Sequence, residues 1–269
     1  MSTTPPLPVV ATAMQAVMSL VLHRRDFILL AAPNVAVMSL LNVGFAVFTE
    51  SLGLKMADLA GRPAESSASG GMFVFVIGLI AMVAVSAFFL TCFCVAWLRR
   101  LLIPEETPTV GETLTWRGRH TRFLLHWVGF VFVSAVFVVI VGLANPVPIL
   151  VAGAAAIVIW LLSRLSLIFA ADAIEQSMDF GKIWRVTKGK GHAIFGVVLL
   201  TGIVAGVPSL IVRLLAARVL ATTDSLLVSL AAAIGVEAIG LGSTAAMIAA
   251  IAILYRHFVA GGNRTVAFA

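Results

Sequence analysis

Charge is what this sequence has least of. Asp, Glu, Lys and Arg make up 11% of its 269 residues, against roughly a quarter in soluble globular domains. With 61% hydrophobic residues, that shortage excludes a water-soluble fold for most of the chain. Cysteine is nearly absent too, with only Cys92 and Cys94, in a C-x-C inside an apolar run. Residues two apart on a helix point about 200° apart, and zinc usually takes four ligands, often histidine. No His lies near, so the pair reads as small apolar side chains rather than a redox or metal centre. Catalytic signatures are missing: there is no H-E-x-x-H and no G-x-S-x-G. No pair of carboxylates on one apolar helix marks an ion-coupled carrier. These absences predict a chain without enzymatic activity and without a cofactor or metal. The opening MSTTPPLP has no basic region ahead of its apolar stretch, and the first cations, Arg24 and Arg25, follow it. A cleavable signal peptide is therefore not expected.

What the sequence has in quantity is apolar runs longer than the ~18 residues that mark a bilayer-crossing helix. Six spans are predicted, at 27–49, 72–98, 123–144, 149–171, 192–210 and 225–254. Pro208 is expected to kink or end the fifth, with 211–220 continuing as helix. The polar stretch 50–71 is read as a loop and Asn145-Pro-Val-Pro148 as a tight turn. The chain thus divides into a Pro-rich tail at 1–8, a single membrane domain at 9–258 and a short tail at 259–269.

The net charge of +6 could point to nucleic acid, but the cations are arranged otherwise. Of the 18 Lys and Arg residues, Lys55, Arg62, Arg213 and Arg218 fall on one side of the six spans and the other 14 on the opposite side, counting Arg164 with the side at which its span ends. By the positive-inside rule the more basic side is cytoplasmic, placing both termini there, in a bacterial inner membrane. Short basic blocks between spans match anionic lipid headgroups, so membrane lipids are the expected partners and nucleic acid is not. A membrane-protein partner is open, and the sequence leaves the oligomeric state undetermined.

Three stretches repeat one plan of short amphipathic helix, basic cluster and apolar span: 9–34, 107–129 and 176–199. In the first, Val9–Leu22 is too short to cross a bilayer, and Thr12, Gln15 and Ser19 lie three and four apart, on one side of a helix. In the second, Thr107-Pro108 or the box Thr109-x-x-Glu112 would start a helix through Trp116, Arg117, Arg119 and His120. In the third, 184–192 (WRVTKGKGH) lacks the G-x-x-x-x-G-K-[ST] spacing of a phosphate loop and has no strand before it. Arg117, Arg119, Trp184, Arg185, Lys188 and Lys190 are therefore the candidate headgroup contacts. The five histidines are read as interfacial polar residues. The expected fold is all-α: six transmembrane helices as three hairpins, each preceded by a short cytoplasmic interfacial amphipathic helix.

Two ionisable residues sit inside apolar runs and need partners there. Arg164 lies about 10 Å, at helical rise, inside the end of the fourth span. Snorkelling to the interface is one reading. However, side chains tilt toward the helix N-terminus, which turns Arg164 toward the bilayer centre and favours a contact within the protein. Glu237 lies in the sixth span among Gly235, Ala238, Gly240, Gly242 and Ser243, residues that let helices approach closely. Arg213 and Arg164 are its candidate partners. A structural pair is one reading of these residues, a proton or solute site the other.

Arg164-Leu-Ser-Leu, then Ala170-Ala171, an acidic residue, Ser177 and Trp184-x-x-Thr187-Lys188-Gly189 form a recognisable series. It resembles the six-helix membrane domain fused to some bacterial glycerophosphodiester phosphodiesterases, and its stand-alone YciC-like relatives. The resemblance covers residues 10–258, with Ala170 where that family usually has Pro and His192 where a second aromatic is common. It implies the six-span fold. No phosphodiesterase domain is attached, so no such activity is implied. Two functions follow as expectations: a scaffold, accessory or lipid-interacting membrane protein, or a transporter or channel with a cavity near Arg164 and Glu237.

Overall fold

The computed structural model describes residues 7–51, 69–107, 109–143, 148–220, 222 and 225–259. Most of the 50–71 connection, the turn at 144–147, residues 1–6 and residues 260–269 lie outside them, and so do the readings made there. The described chain is helical, without a strand among the described residues. Its helices are α1 (Val9–Leu22), α2 (Arg24–Ser51), α3 (Ser69–Leu102), α4 (Gly118–Leu143), α5 (Pro148–Leu165), α6 (Leu167–Ala173), α7 (Phe180–Val186), α8 (Gly191–Leu220) and α9 (Leu226–Phe258). A single 3-10 turn, Val110–Thr113, precedes α4. Six of these stretches are long and apolar enough to cross a membrane, with α5 and α6 together forming one of them. The chain is thus an all-α multi-pass membrane protein.

Pro208 does not end the fifth span: α8 runs unbroken through it for 30 residues, as α2 does through Pro33. A proline in a membrane helix loses one ladder bond that neighbouring helices help to compensate. At roughly 45 Å, a 30-residue helix exceeds the hydrocarbon thickness, so it tilts or projects from the bilayer. The fourth span, expected to be one helix, instead breaks at Ser166. Ser163 Oγ donates to the Trp160 carbonyl and Ser166 Oγ to the Ser163 carbonyl, both at 2.8 Å. These hydroxyls compete for ladder acceptors, and the ladder tightens to an i→i−3 bond, Phe169 N to Ser166 O at 3.1 Å.

The expected second surface helix is replaced by the 3-10 turn and an irregular segment. Thr109 makes no side-chain cap there, and Trp116 and Arg117 lie in no regular secondary structure. Arg119 and His120 belong to the first turn of α4, where His120 Nδ1 accepts the Arg117 N–H at 2.9 Å. That is the reciprocal half of a capping box, with histidine in the position usually held by Glu or Gln. In α1, Thr12 and Ser19 turn inward with Ala13 and Ala16, and Gln15 faces out. The two hydroxyls bond carbonyls of their own chain, Pro8 and Ala16. Val10, Met14, Met18, Val21 and Leu22 are left on the outer surface.

Helix α9 is the centre of the bundle, packing against α1, α2, α3, α6 and α8. Most of its buried residues lie in its second half: Ala245, Ala246, Ala249, Ala250 and Ala252 are buried there, and methyl-sized side chains let five neighbours come close. Because lipid tails are as apolar as leucine, helices in a bilayer associate through such close packing and through hydrogen bonds. Trp97 of α3, wholly buried, supplies one by donating Nε1–H to the Ala245 carbonyl at 3.1 Å. Phe27 of α2 meets Phe93 and Trp97 edge-on, which fixes the start of α2 to the end of α3. Consecutive spans touch: α2 with α3, α4 with α5 and α8 with α9.

Ion pairs and hydrogen bonds tie the start of α2 to the end of α3, the start of α4 to the end of α6, and the end of α6 to the end of α9. All of these ends, and both ends of the described chain, therefore lie at one end of the bundle, here called the basic end. The buried core is gathered there. Leu214, Leu215, Leu226 and Leu227, at the far end, are exposed, as a surface in contact with lipid must be.

Candidate functional site

Arg164 is 4% exposed and pairs with no carboxylate among the described residues. Its guanidinium is held by a hydroxyl, a carbonyl and two indoles. Nε and Nη2 donate to Thr187 Oγ1 at 3.2 and 3.0 Å, and Nη2 also donates to the Trp184 carbonyl at 3.1 Å. The Trp184 ring lies 3.6 Å from the guanidinium carbon and the Trp160 ring 5.2 Å. Thr187 in turn donates to the Ile183 carbonyl at 2.9 Å. Its one proton and two lone pairs are thus all engaged. Charge–π attraction without water between the groups is worth about 2 kcal/mol, and each charged hydrogen bond about 1.5–3 kcal/mol.

Two glycines make this arrangement reachable. Gly189 takes φ +75°, a left-handed conformation that other residues adopt only under strain, and turns the chain from α7 toward α8. A Cβ on Gly191 would sit 2.9 Å from Trp160 and 3.1 Å from Arg164 Cδ. The first residue of α8 is therefore level with Arg164, and Trp184 and Thr187, just before it in the chain, cover the cation. Neither snorkelling nor a solute cavity is needed. The Arg, Trp and Thr of the sequence series are joined here in space, 20 and 23 residues apart along the chain.

A second cluster surrounds residues 172–176, where α6 ends. Asp172 Oδ2 bonds His126 Nδ1 of α4 at 2.6 Å, and the Ala173 carbonyl accepts from Arg99 of α3 at 3.0 Å. Glu175 pairs with Arg119 of α4 at 3.4 Å, and the Gln176 side chain accepts from the Tyr255 hydroxyl of α9. The turn itself is a Schellman motif: Gln176 N bonds the Ala171 carbonyl and Glu175 N the Asp172 carbonyl. Glu175 occupies the position that usually takes glycine, with φ +58°. Nearby, Arg99 also pairs with Glu106, and Arg100 with Asp26 at 2.6 Å. Sequence periodicity gave no sign of these partners, since each pair joins residues on different elements.

The expected headgroup contacts divide into two sets. Arg117, Trp184, Arg185 and Lys188 are exposed and Lys190 is half-buried. Arg119 is turned inward, 6% exposed against Glu175, and offers nothing to a headgroup. Its Nε is buried without a partner among the described residues. Asp179, not singled out in the sequence, caps α7 by accepting the Lys182 N–H at 2.5 Å. That cap presents Lys182, Trp184 and Arg185 outward.

Glu237 is partnered by neither candidate arginine. Its Oε1 accepts from Asn42 Nδ2 of α2 at 2.8 Å. Arg213 is exposed and rests one turn away, with Nη2 3.2 Å from where a Gly240 Cβ would stand. The cavities are apolar. One of about 160 Å³ lies between α3, α4, α6 and α9, one of about 510 Å³ between α2 and α3, and one of about 320 Å³ between α2 and α9. None of these three is lined by Arg164 or Glu237. No family model, curated protein or solved structure matches the chain.

Proposed function

We propose that this is a non-catalytic, lipid-interacting protein of a bacterial inner membrane, with both termini cytoplasmic, acting as a scaffold or accessory factor at the membrane surface. One observation carries the reading: the charges at the basic end are sorted. Asp26, Glu106, Asp172 and Glu175 are taken up by Arg100, Arg99, His126 and Arg119. Lys182, Arg185 and Lys188, beside the exposed ring of Trp184, face outward with no acidic partner among the described residues. Cations flanked by an amphipathic ring at the end of a bundle suit a negatively charged lipid surface, at about 1 kcal/mol for each basic residue near it. Transport through a cavity near Arg164 and Glu237 is the weaker reading, because Trp160, Trp184 and Gly191 fill the space around Arg164.

The test is native mass spectrometry of the protein released from nanodiscs of mixed phosphatidylcholine and phosphatidylglycerol. A variant with Lys182, Arg185, Lys188 and Lys190 all changed to Gln is expected to lose at least about tenfold in preference for phosphatidylglycerol. An unchanged preference would overturn the proposal. Solute flux in proteoliposomes that disappears in Glu237→Gln would replace it with transport.

A further inference from the structure

The cavity of about 160 Å³ runs along the helices at hydrocarbon depth, directly below the basic end. On α3 it is lined by Ala87, Leu90, Thr91, Cys94 and Leu98, a single face extending roughly 16 Å along the axis. Phe123 and Trp127 of α4 form a second wall, and residues from Thr244 to Ile251 of α9 a third. Its only hydroxyls are those of Thr91 and Thr244, and Thr244 already donates to the Gly240 carbonyl at 3.0 Å. Buried water needs two to four polar partners, which this lining does not supply, so the cavity stays dry. Its volume is close to the roughly 150 Å³ at which an engineered apolar cavity admits benzene. It is not sealed: Trp127 is 39% exposed, so the wall on α4 meets the lipid. An apolar space open to hydrocarbon and closed to water is filled by hydrocarbon.

The rim gives that hydrocarbon a head. Arg122, one residue before Phe123, is exposed, and its side chain makes no hydrogen bond or ion pair among the described residues. Its acidic neighbour Asp172 is already bonded to His126. Phe180, the first residue of α7, meets His126 edge-on with ring centroids 5.4 Å apart, one turn along α4 from Arg122. We infer that this cavity takes a segment of one acyl chain of an anionic phospholipid, with the lipid phosphate at Arg122. The inference rests on the lipid-surface reading for its headgroup preference and adds a discrete site with a stated occupant. Because the chain leaves one hydrocarbon environment for another, close packing and charge, rather than burial from water, hold it there.

Two measurements test it on the full chain in nanodiscs of phosphatidylcholine with phosphatidylglycerol. In the first, dibrominated phosphatidylglycerol is expected to quench the fluorescence of Trp127, obtained as the difference between the wild type and Trp127→Phe, more strongly than dibrominated phosphatidylcholine. In the second, native mass spectrometry is expected to show one fewer retained lipid per chain in Ala87→Phe, whose ring fills the cavity. Arg122→Gln should keep that lipid but lose about fivefold in preference for phosphatidylglycerol, the effect of one basic residue at a membrane surface. Equal quenching by the two brominated lipids, or an undiminished lipid count in Ala87→Phe, overturns the inference. The quadruple α7 variant separates the two proposals: it should lose surface lipid while keeping the one that Ala87→Phe displaces. The quenching measurement uses wild-type packing at Ala87, so a folding defect in Ala87→Phe leaves the inference testable.

Discussion

Replacing Thr187 with valine keeps the shape of the side chain and removes the one oxygen that Arg164 addresses twice. Nε and one Nη2 bond then point at a methyl group, while the guanidinium remains 4% exposed between Trp160 and Trp184. The Trp184 carbonyl still accepts from Nη2, so the loss is partial. A buried charged donor without its acceptor costs about 1–3 kcal/mol or more, and the Thr187 bond to Ile183 disappears as well. The expected destabilisation of Thr187→Val is about 3 kcal/mol. Arg164→Leu removes the cation, its charged hydrogen bonds and the charge–π contact, for an expected cost of about 3–4 kcal/mol. In the double variant no unsatisfied charge remains, so the two costs should fail to add, with a coupling of at least about 1.5 kcal/mol. Reversible unfolding in mixed detergent micelles, followed by the fluorescence of Trp160 and Trp184, measures all four corners of the cycle. Costs that add to within about 0.5 kcal/mol would show that Arg164 does not depend on Thr187, and the account of the buried cation would fail.

Two further outcomes are expected. Glu175 sits at φ +58°, so Glu175→Gly should be more stable than Glu175→Ala by about 1 kcal/mol, since both lose the Arg119 pair but only glycine relieves the backbone. Equal stability in thermal unfolding would mean that the turn carries no strain. Asn42→Leu should cost about 1–3 kcal/mol by leaving Glu237 without its donor, whereas Glu237→Gln should stay within about 1 kcal/mol of wild type because an amide oxygen still accepts from Asn42. Finding Glu237→Gln the costlier of the two would point to a charge-dependent partner for Glu237.

The number and placement of the spans were legible in the sequence because a bilayer demands some twenty apolar residues in a row, and that is a property of local composition. The bounds of α1, Val9–Leu22, were legible for a similar reason: an apolar run ends at His23 and the cations behind it. The need of Arg164 for partners inside the protein could also be argued from depth and helix tilt alone. The identity of those partners could not. Thr187, Trp184 and Trp160 meet Arg164 only because Gly189 turns the chain and Gly191 admits the indole, both consequences of how α7 docks on α5.

Elsewhere, tertiary contacts overrode local patterns. The capping sequence at 107–112 promised a surface helix, yet Trp116 stacks on Phe88 and Arg119 turns in to Glu175, and the segment runs into α4 without forming one. On α1, spacing put Thr12, Gln15 and Ser19 on one side, but could not say that Thr12 and Ser19 would face protein rather than water. Small hydroxyls that bond their own backbone pack as closely as alanine does. Glu237 could be recognised from one segment as an acid inside an apolar span; that Asn42, 195 positions away, would satisfy it was decided by the packing of α2 on α9. Sequence by itself determined which stretches enter the membrane, because that depends on each stretch alone. Which charges are paired inside the protein and which stay exposed on its surface was decided by tertiary structure, because a charge is satisfied by whatever the fold brings within about 3 Å of it.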